Sequence, residues 1–440
     1  MKGSMKHQSV VLILVVTVIA ANVSCRQPKA PLVRSDDAPT ACVVALAPAT
    51  RQNETDHDIA RLQEQARREP NPKQALEQLG YRYVARARLA NDPGNYKLAE
   101  KTAECIESTS PDDASALLLR GHVLHQLHRF HEAEQIARRL TVKRQFVLDY
   151  GLLGDVLMEQ GRLTEAAQAY QKMIDLKPFY QSYTRASHLR WLKGDLEGAI
   201  ELIRKAIAAA SPRAPESVAW AYTRLAGYEL QRGRLEDAAR AADSALSYQP
   251  DYAAALLMRG RVFLAMKKAA DAVTAFSRAA QLNPLPEYQW ALGDALRLHG
   301  DHARAELVEN ELTSRGTEAD PRTVALFLAT RRAAITKAIA LAERELQTRA
   351  DVFTLDALAW SLAAAGRTAE AQVTMTRALA EGTEDGRLFL HAGVIAAAED
   401  RGAEARKWLR KAEALRSTLL PSELDELTKH LTRLSTQEKS

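Results

Sequence analysis

Cysteine is scarce in this 440-residue chain, which has three, at Cys25, Cys42 and Cys105. There is no CxxC pair with zinc spacing, no HExxH, no phosphate-cradling GxxxxGK[ST] loop and no GxSxG. The patterns that build zinc hydrolases, nucleotide pockets and serine nucleophiles are therefore missing, and the sequence reads as that of a non-enzyme with no cofactor and no metal. Alternating apolar and polar runs that would mark strands are missing too. One apolar run stands out, Val10 to Ala21, broken only by Thr17, and its length is too short to span a bilayer comfortably as a mature helix. Charge of one sign is also lacking: 60 Lys and Arg face 55 Asp and Glu, a net charge of +5. Loss of Lys2 and Lys6 with a cleaved leader brings it to about +3, which argues against nucleic acid or another polyanion as partner. Basic and acidic residues interleave, as in Glu197, Glu201, Arg204 and Lys205, the pattern of solvated helix faces.

What the chain has is a repeated unit. In the stretch from Val147 to Pro178, Tyr150, Leu153, Gly154 and Leu157 recur at the spacing of one helical face. Gly161 ends that helix, Ala166, Tyr170, Met173 and Ile174 form the stripe of a second, and Pro178 stops it. The small residues Gly154 and Ala166 are expected to let a neighbouring helix backbone approach closely. Ala99, Ala133, Ala166, Ala199, Ala238, Ala272, Ala305, Ala338, Ala371 and Ala405 follow one another at steps of 33 or 34, save one of 39. Gly121, Gly154, Gly260 and Gly293 precede their alanines by twelve residues, and Gly161, Gly194, Gly233, Gly300 and Gly366 precede theirs by five. The long step coincides with Ser211-Pro212-Arg213-Ala214-Pro215, which lengthens one loop. The unit around Ala338 has Arg331-Arg332 where the turn glycine belongs, which predicts a short first helix.

Leu153-Gly154, Leu292-Gly293, and Ala272, Phe276 and Ala279 ahead of Pro284 resemble the tetratricopeptide repeat, a helix-turn-helix unit of about 34 residues. The resemblance implies an all-α, right-handed solenoid of about ten repeats over residues 73–417, closed by a capping helix and tail at 418–440. It leaves no stretch for a separate catalytic domain. Its usual role is to bind a protein or peptide partner along a concave face lined by first helices. Carried over position by position, that face takes His122, His125, Asp155, Glu159, His188, Trp191, Trp220, Arg261, Trp290, Asp294, Arg297 and Trp360, with Asp356 beside them. The competing reading of the tryptophans is that they pack between adjacent first helices.

The first 24 residues, with Lys2, Lys6 and the apolar run, read as a secretory signal. Asn22-Val23-Ser24-Cys25 resembles a bacterial lipoprotein signal, although Asn22 stands where an aliphatic residue is usual. The resemblance implies a lipidated Cys25, a membrane anchor and, with Arg26 rather than Asp next, the periplasmic side of the outer membrane. Cleavage without lipid, giving a soluble periplasmic protein, and an uncleaved anchor are the alternatives. Residues 25–57, with Pro28, Pro31, Pro39 and Pro48, read as a disordered tether whose one apolar patch, Cys42 to Ala47, has docking on the first repeats as its alternative reading, and 58–72 as an N-terminal helix. Cys42 and Cys105 are free to pair once Cys25 carries lipid, but their separation offers no geometric support. His122, His125, His128 and His131 recur every three residues, so only adjacent pairs face alike, with the last two at a turn. They give the alternative function, a periplasmic accessory or carrier subunit that delivers a metal or cofactor to an exported enzyme; a third reading is an enzyme with an unrecognised site.

Overall fold

The computed structural model describes residues 40–48, 54–90 and 92–437. The signal, Cys25 and most of the tether lie outside the described residues. Helices α1 (Thr40–Ala45) and α2 (Glu54–Arg68) come first. Ten hairpins follow: α3 and α4 (Lys73–Ala90, Gly94–Thr109), α5 and α6 (Ala114–Gln126, Phe130–Lys143), α7 and α8 (Val147–Glu159, Leu163–Leu176), α9 and α10 (Tyr180–Leu192, Leu196–Ala209), and α11 and α12 (Pro215–Gln231, Leu235–Tyr248). The second five are α13 and α14 (Ala253–Ala265, Ala269–Leu282), α15 and α16 (Pro286–His299, His302–Ala319), α17 and α18 (Pro321–Thr330, Ile335–Leu346), α19 and α20 (Val352–Ala364, Thr368–Leu379), and α21 and α22 (Gly386–Ala398, Gly402–Ala414). Helix α23 (Pro421–Gln437) closes the array, and among the described residues there is no strand. The short first helix expected before Arg331-Arg332 is α17, with 10 residues. No helix among the described residues is long and apolar enough to cross a membrane.

Each hairpin packs its second helix on the first helix of the next, and first helices such as α5, α7 and α9, or α11, α13 and α15, also touch in series. The ladder alanines are all fully buried. The glycines twelve residues earlier serve a different purpose from the one expected. A Cβ on Gly154 would fall inside the ring of Tyr170, and one on Gly260 inside the ring of Phe276. These two make room for a large side chain from the second helix of their own hairpin, whereas Gly121 makes room for Leu152 from the first helix of the next. The core therefore gains a buried aromatic, worth about 1.5–3 kcal/mol, at a place where two helices cross.

The stretch read as tether is ordered at both described places. Cys42, Ala45 and Leu46 are buried in α1 and the turn after it, which packs on α4. A disulfide joins Cys42 to Cys105, and the hydroxyl of Tyr83 donates to the Ala45 carbonyl at 2.8 Å. The N-terminal helix begins at Glu54 rather than 58, because Ile59, Leu62 and Ala66 form a helical stripe on the first hairpin.

The chain also meets itself across the solenoid. The turn at Gly161 sits on the Ala350 carbonyl, and the turn at Gly194 on that of Gly382. The Thr383 hydroxyl donates to the Leu192 carbonyl, Lys193 pairs with Glu381 at 2.7 Å, and Ser417 donates to the Leu230 carbonyl at 2.9 Å. Arg88 of α3 reaches Glu216 of α11 at 3.0 Å. Units four to six repeats apart in sequence are thus edge to edge.

Two measurements check this packing. Replacing Cys42 and Cys105 together by alanine should cost about 2–4 kcal/mol in urea unfolding and expose α1 to protease, because the bridge closes a loop of 63 residues. Gly260→Ala should cost about 1–3 kcal/mol by overpacking, and Phe276→Leu in the same chain should be less damaging than the two separate losses predict.

Candidate functional site

The inner face of the first helices is polar, and its charges are nearly all paired within the chain. Asp155 on α7 receives two bonds from Arg185 on α9, at 2.8 and 2.7 Å, and one from the Tyr170 hydroxyl at 2.8 Å. Burial alone would raise its pKa, but the Arg185 guanidinium overrides it and holds the carboxylate low. Glu159 faces Arg349 at 2.7 Å, across the solenoid. Arg261 donates to the Thr418 carbonyl at 3.4 Å and pairs with Glu287 at 3.1 Å. Arg297 makes a fork with Glu309, at 3.0 and 2.6 Å. Asp294 accepts from the backbone and hydroxyl of Ser422, at 2.9 and 2.6 Å, and from Arg331 at 2.6 Å. It therefore holds the N-terminus of α23, where a negative charge is favoured by unpaired amides.

The tryptophans divide. Trp290 is 1% exposed and Trp360 5%. Trp290 lies edge-on to Phe327, and Trp360 stacks on His391 at 4.0 Å while donating to Thr330 at 3.0 Å. His391 in turn bonds Asp356 at 2.8 Å. These two are packing residues between neighbouring first helices. Trp191 is half-buried, stacked on His188 and on Phe353 from across the solenoid, and donates to Gln231 at 2.7 Å. Trp220 lines an open surface, and Trp360 borders another beside Arg332 and His430.

The surface at Trp220 is a groove of about 420 Å³ on which Tyr180, Trp220, Tyr252 and Tyr288 converge, flanked by the Arg88–Glu216 pair. The Tyr180 hydroxyl bridges the lengthened loop, donating to the Ser217 carbonyl at 2.6 Å. Three of these rings were missed in the sequence. The signal was present: Pro178-Phe179-Tyr180, Pro250-Asp251-Tyr252 and Pro286-Glu287-Tyr288 each put a tyrosine two residues after a proline, at the start of a first helix.

The histidines do not assemble. His122 lies edge-on to Tyr81, His125 contacts Phe130 and Gln126, and His128 stacks on Phe130 at the turn, 3.4 Å from Arg349. Among the described residues no group of three or more His, Cys, Asp or Glu side chains is placed to hold a metal ion. His122 is held down at about 4 by burial and by Arg185, and His188 at about 3 by burial and by Arg224, whose guanidinium lies 3.0 Å from its ring. Their ordinary value is 6.5, so the unfolded chain binds more protons than the folded one as pH falls below it. Stability should therefore drop between pH 7.5 and 5.0, by up to about 2 kcal/mol for each histidine. Urea unfolding at the two pH values checks this, and His122→Gln with His188→Gln should remove their share of the dependence and leave that of His125 and His128, which burial also holds down.

Sequence profiles of the tetratricopeptide repeat match residues 150–181, 223–285 and 257–321, and a second such profile matches 180–212. A search of the curated proteins gave no match. Among solved structures, the crystal structure of MamA is similar at 20% identity over 38% of this chain and 96% of that one, with a TM-score of 0.31. PilF of Pseudomonas aeruginosa is similar at 20% identity over 45% of this chain and 89% of that one, with a TM-score of 0.35. The chain carries tetratricopeptide repeats, folded as an all-helical solenoid.

Proposed function

We propose that the protein is a non-catalytic interaction scaffold of the cell envelope, exported by its N-terminal signal and anchored by lipid on Cys25, which holds a peptide segment of a partner protein and so assists complex assembly. The observation that carries the reading is the open groove of Tyr180, Trp220, Tyr252 and Tyr288. Aromatic rings offer a large contact area and lose little conformational freedom on binding, so four of them around one groove suit an extended peptide. The flanking Arg88 and Glu216 add one charge of each sign to fix its direction. The repeats support a binding role in general. The envelope location rests on the signal-like N-terminus.

The test is photocrosslinking in the native cell from positions 220 and 252, with mass spectrometry of what is captured. One dominant envelope protein at both positions is the expected result, and Trp220→Ala with Tyr252→Ala should weaken its binding at least about tenfold with helix content unchanged. Capture of nothing, or of unrelated proteins in equal amounts, sinks the groove as the binding site. Membrane fractionation of a Cys25→Ala chain tests the anchor separately.

A further inference from the structure

The aromatic groove is built with a period. Tyr180, Trp220, Tyr252 and Tyr288 come from the first helices α9, α11, α13 and α15 of four successive hairpins. Helix α11 touches α13 and α13 touches α15, so Trp220, Tyr252 and Tyr288 stand on helices packed about 8–10 Å apart. Three charged side chains line the groove, Arg88, Glu216 and Asp251. Arg88 forks onto both oxygens of Glu216 at 3.0 and 3.2 Å, and Asp251 pairs with Arg278 at 2.8 Å. Glu287, beside Tyr288, pairs with Arg261 at 3.1 Å. Each of these charges has an opposite charge of the chain itself, so a charged ligand finds no free partner at the wall. What stays unengaged is ring surface and neutral donors. The Trp220 indole N–H and the Tyr252 hydroxyl make no hydrogen bond to the described residues, and neither is sealed from solvent. Burial, with Glu216 nearby, pushes Tyr252 up to about 12, so its hydroxyl keeps its proton at neutral pH.

We propose that the groove takes a proline-rich segment of the partner in the extended polyproline II form, with prolines three residues apart set against successive rings; this rests on the groove being where the partner binds. Polyproline II advances about 3.1 Å per residue with three residues per turn, so every third residue recurs on one side at about 9 Å, the spacing of the packed first helices. Its carbonyls make no bonds within the helix and are free to accept from Trp220 and Tyr252. Proline has no amide N–H, so laying it on a ring orphans no donor. Other forms of peptide fit less well. An added strand needs a sheet edge, and among the described residues there is no strand. An α-helix about 10 Å across fills about 420 Å³ with a single turn, so a groove of that volume engages too little of one.

The test is isothermal titration and thermal unfolding of the purified full chain with uncharged, end-capped ten-residue peptides. One is all proline and one alternates alanine with serine; two more are isomers of four prolines among six serines, with proline at every third or at every second position. The all-proline peptide should bind one to one and at least about tenfold tighter than the alanine-serine peptide, and the every-third isomer at least about threefold tighter than the other. Raising NaCl about tenfold should change these affinities less than about twofold, because no charge of the wall is free. Trp220→Ala should weaken binding at least about tenfold, and Tyr252→Phe, which keeps the ring and removes the hydroxyl, about threefold to tenfold, with helix content unchanged. No saturable heat or rise in Tm with the all-proline peptide, equal affinity of the two isomers, or affinity within twofold in Trp220→Ala overturns the proposal. A proline-free segment captured at positions 220 and 252 in the cell overturns it too, and leaves the groove as the partner site. Oligoproline bound through Trp220 while the cell yields no capture upholds the chemistry of the groove and sinks its role with a cellular partner.

Discussion

A hairpin of about thirty residues cannot bury its own apolar stripe, so every unit here depends on the next to cover it. An open solenoid built on that rule alone is one-dimensional: each repeat feels its neighbours and nothing else. This chain departs from the rule at the turns. Gly161 and Gly194 have positive φ, as the turn between helices requires, and each also lies where a Cβ would strike the backbone of a distant unit. Gly233, Gly300 and Gly366 have the same positive φ and open space around them. The same local device therefore does one task at three turns and two at the others. The ties it permits, Thr383 to Leu192 and Arg349 to Glu159 among them, couple units that nearest-neighbour stacking leaves independent.

That closure decides which surface is left for a partner. Asp155, Glu159, Arg261, Asp294 and Arg297 all have an opposite charge of the chain itself within 3.5 Å. A peptide that claimed one of them would leave its present partner unpaired in a partly buried place, at a cost of about 3–5 kcal/mol where the pair is well buried. The Tyr180, Trp220, Tyr252 and Tyr288 groove carries no such debt, since its rings need no counter-ion. The cheaper surface for an incoming segment is the aromatic one.

The repeat was legible because its requirements are local. A buried alanine at a helix crossing and a glycine with positive φ at a turn are set by contacts within one or two units, and they recur with the unit. The pairing of Gly154 with Tyr170 is also local and could have been read, since Gly260 and Phe276 share the spacing. The contacts across the solenoid were not legible. They depend on small rotations summed over several repeats, and no residue's type records that sum. The same limit applies to the tryptophans: Trp220 and Trp290, at different repeat positions, were both read onto the inner face, yet Trp220 lines a groove while Trp290 is packed against Phe327 and Arg387 in the core. Cys42 lay in a segment whose prolines spoke for disorder, while the apolar residues around it were answering to a helix 60 residues further on.

The choice of arginine over lysine on the inner face follows from the same geometry. Helices held apart by the pitch of the solenoid cannot fill the space between them with short apolar side chains, so long ones must cross it. Arg224 lies over Trp191, Arg322 over Phe353, Arg331 over Phe327, Arg349 over Phe130 and Arg387 over Trp290, each with its guanidinium carbon within 6 Å of a ring centre. A guanidinium can lie flat on a ring and still donate to a carboxylate, as Arg331 does to Asp294 and Arg322 to Asp351. An ammonium is a point charge with a tighter water shell and offers no planar fork to both at once. At Arg331 the ring covers the face while Nη2 alone bonds both Asp294 and Glu309, and the result is structure.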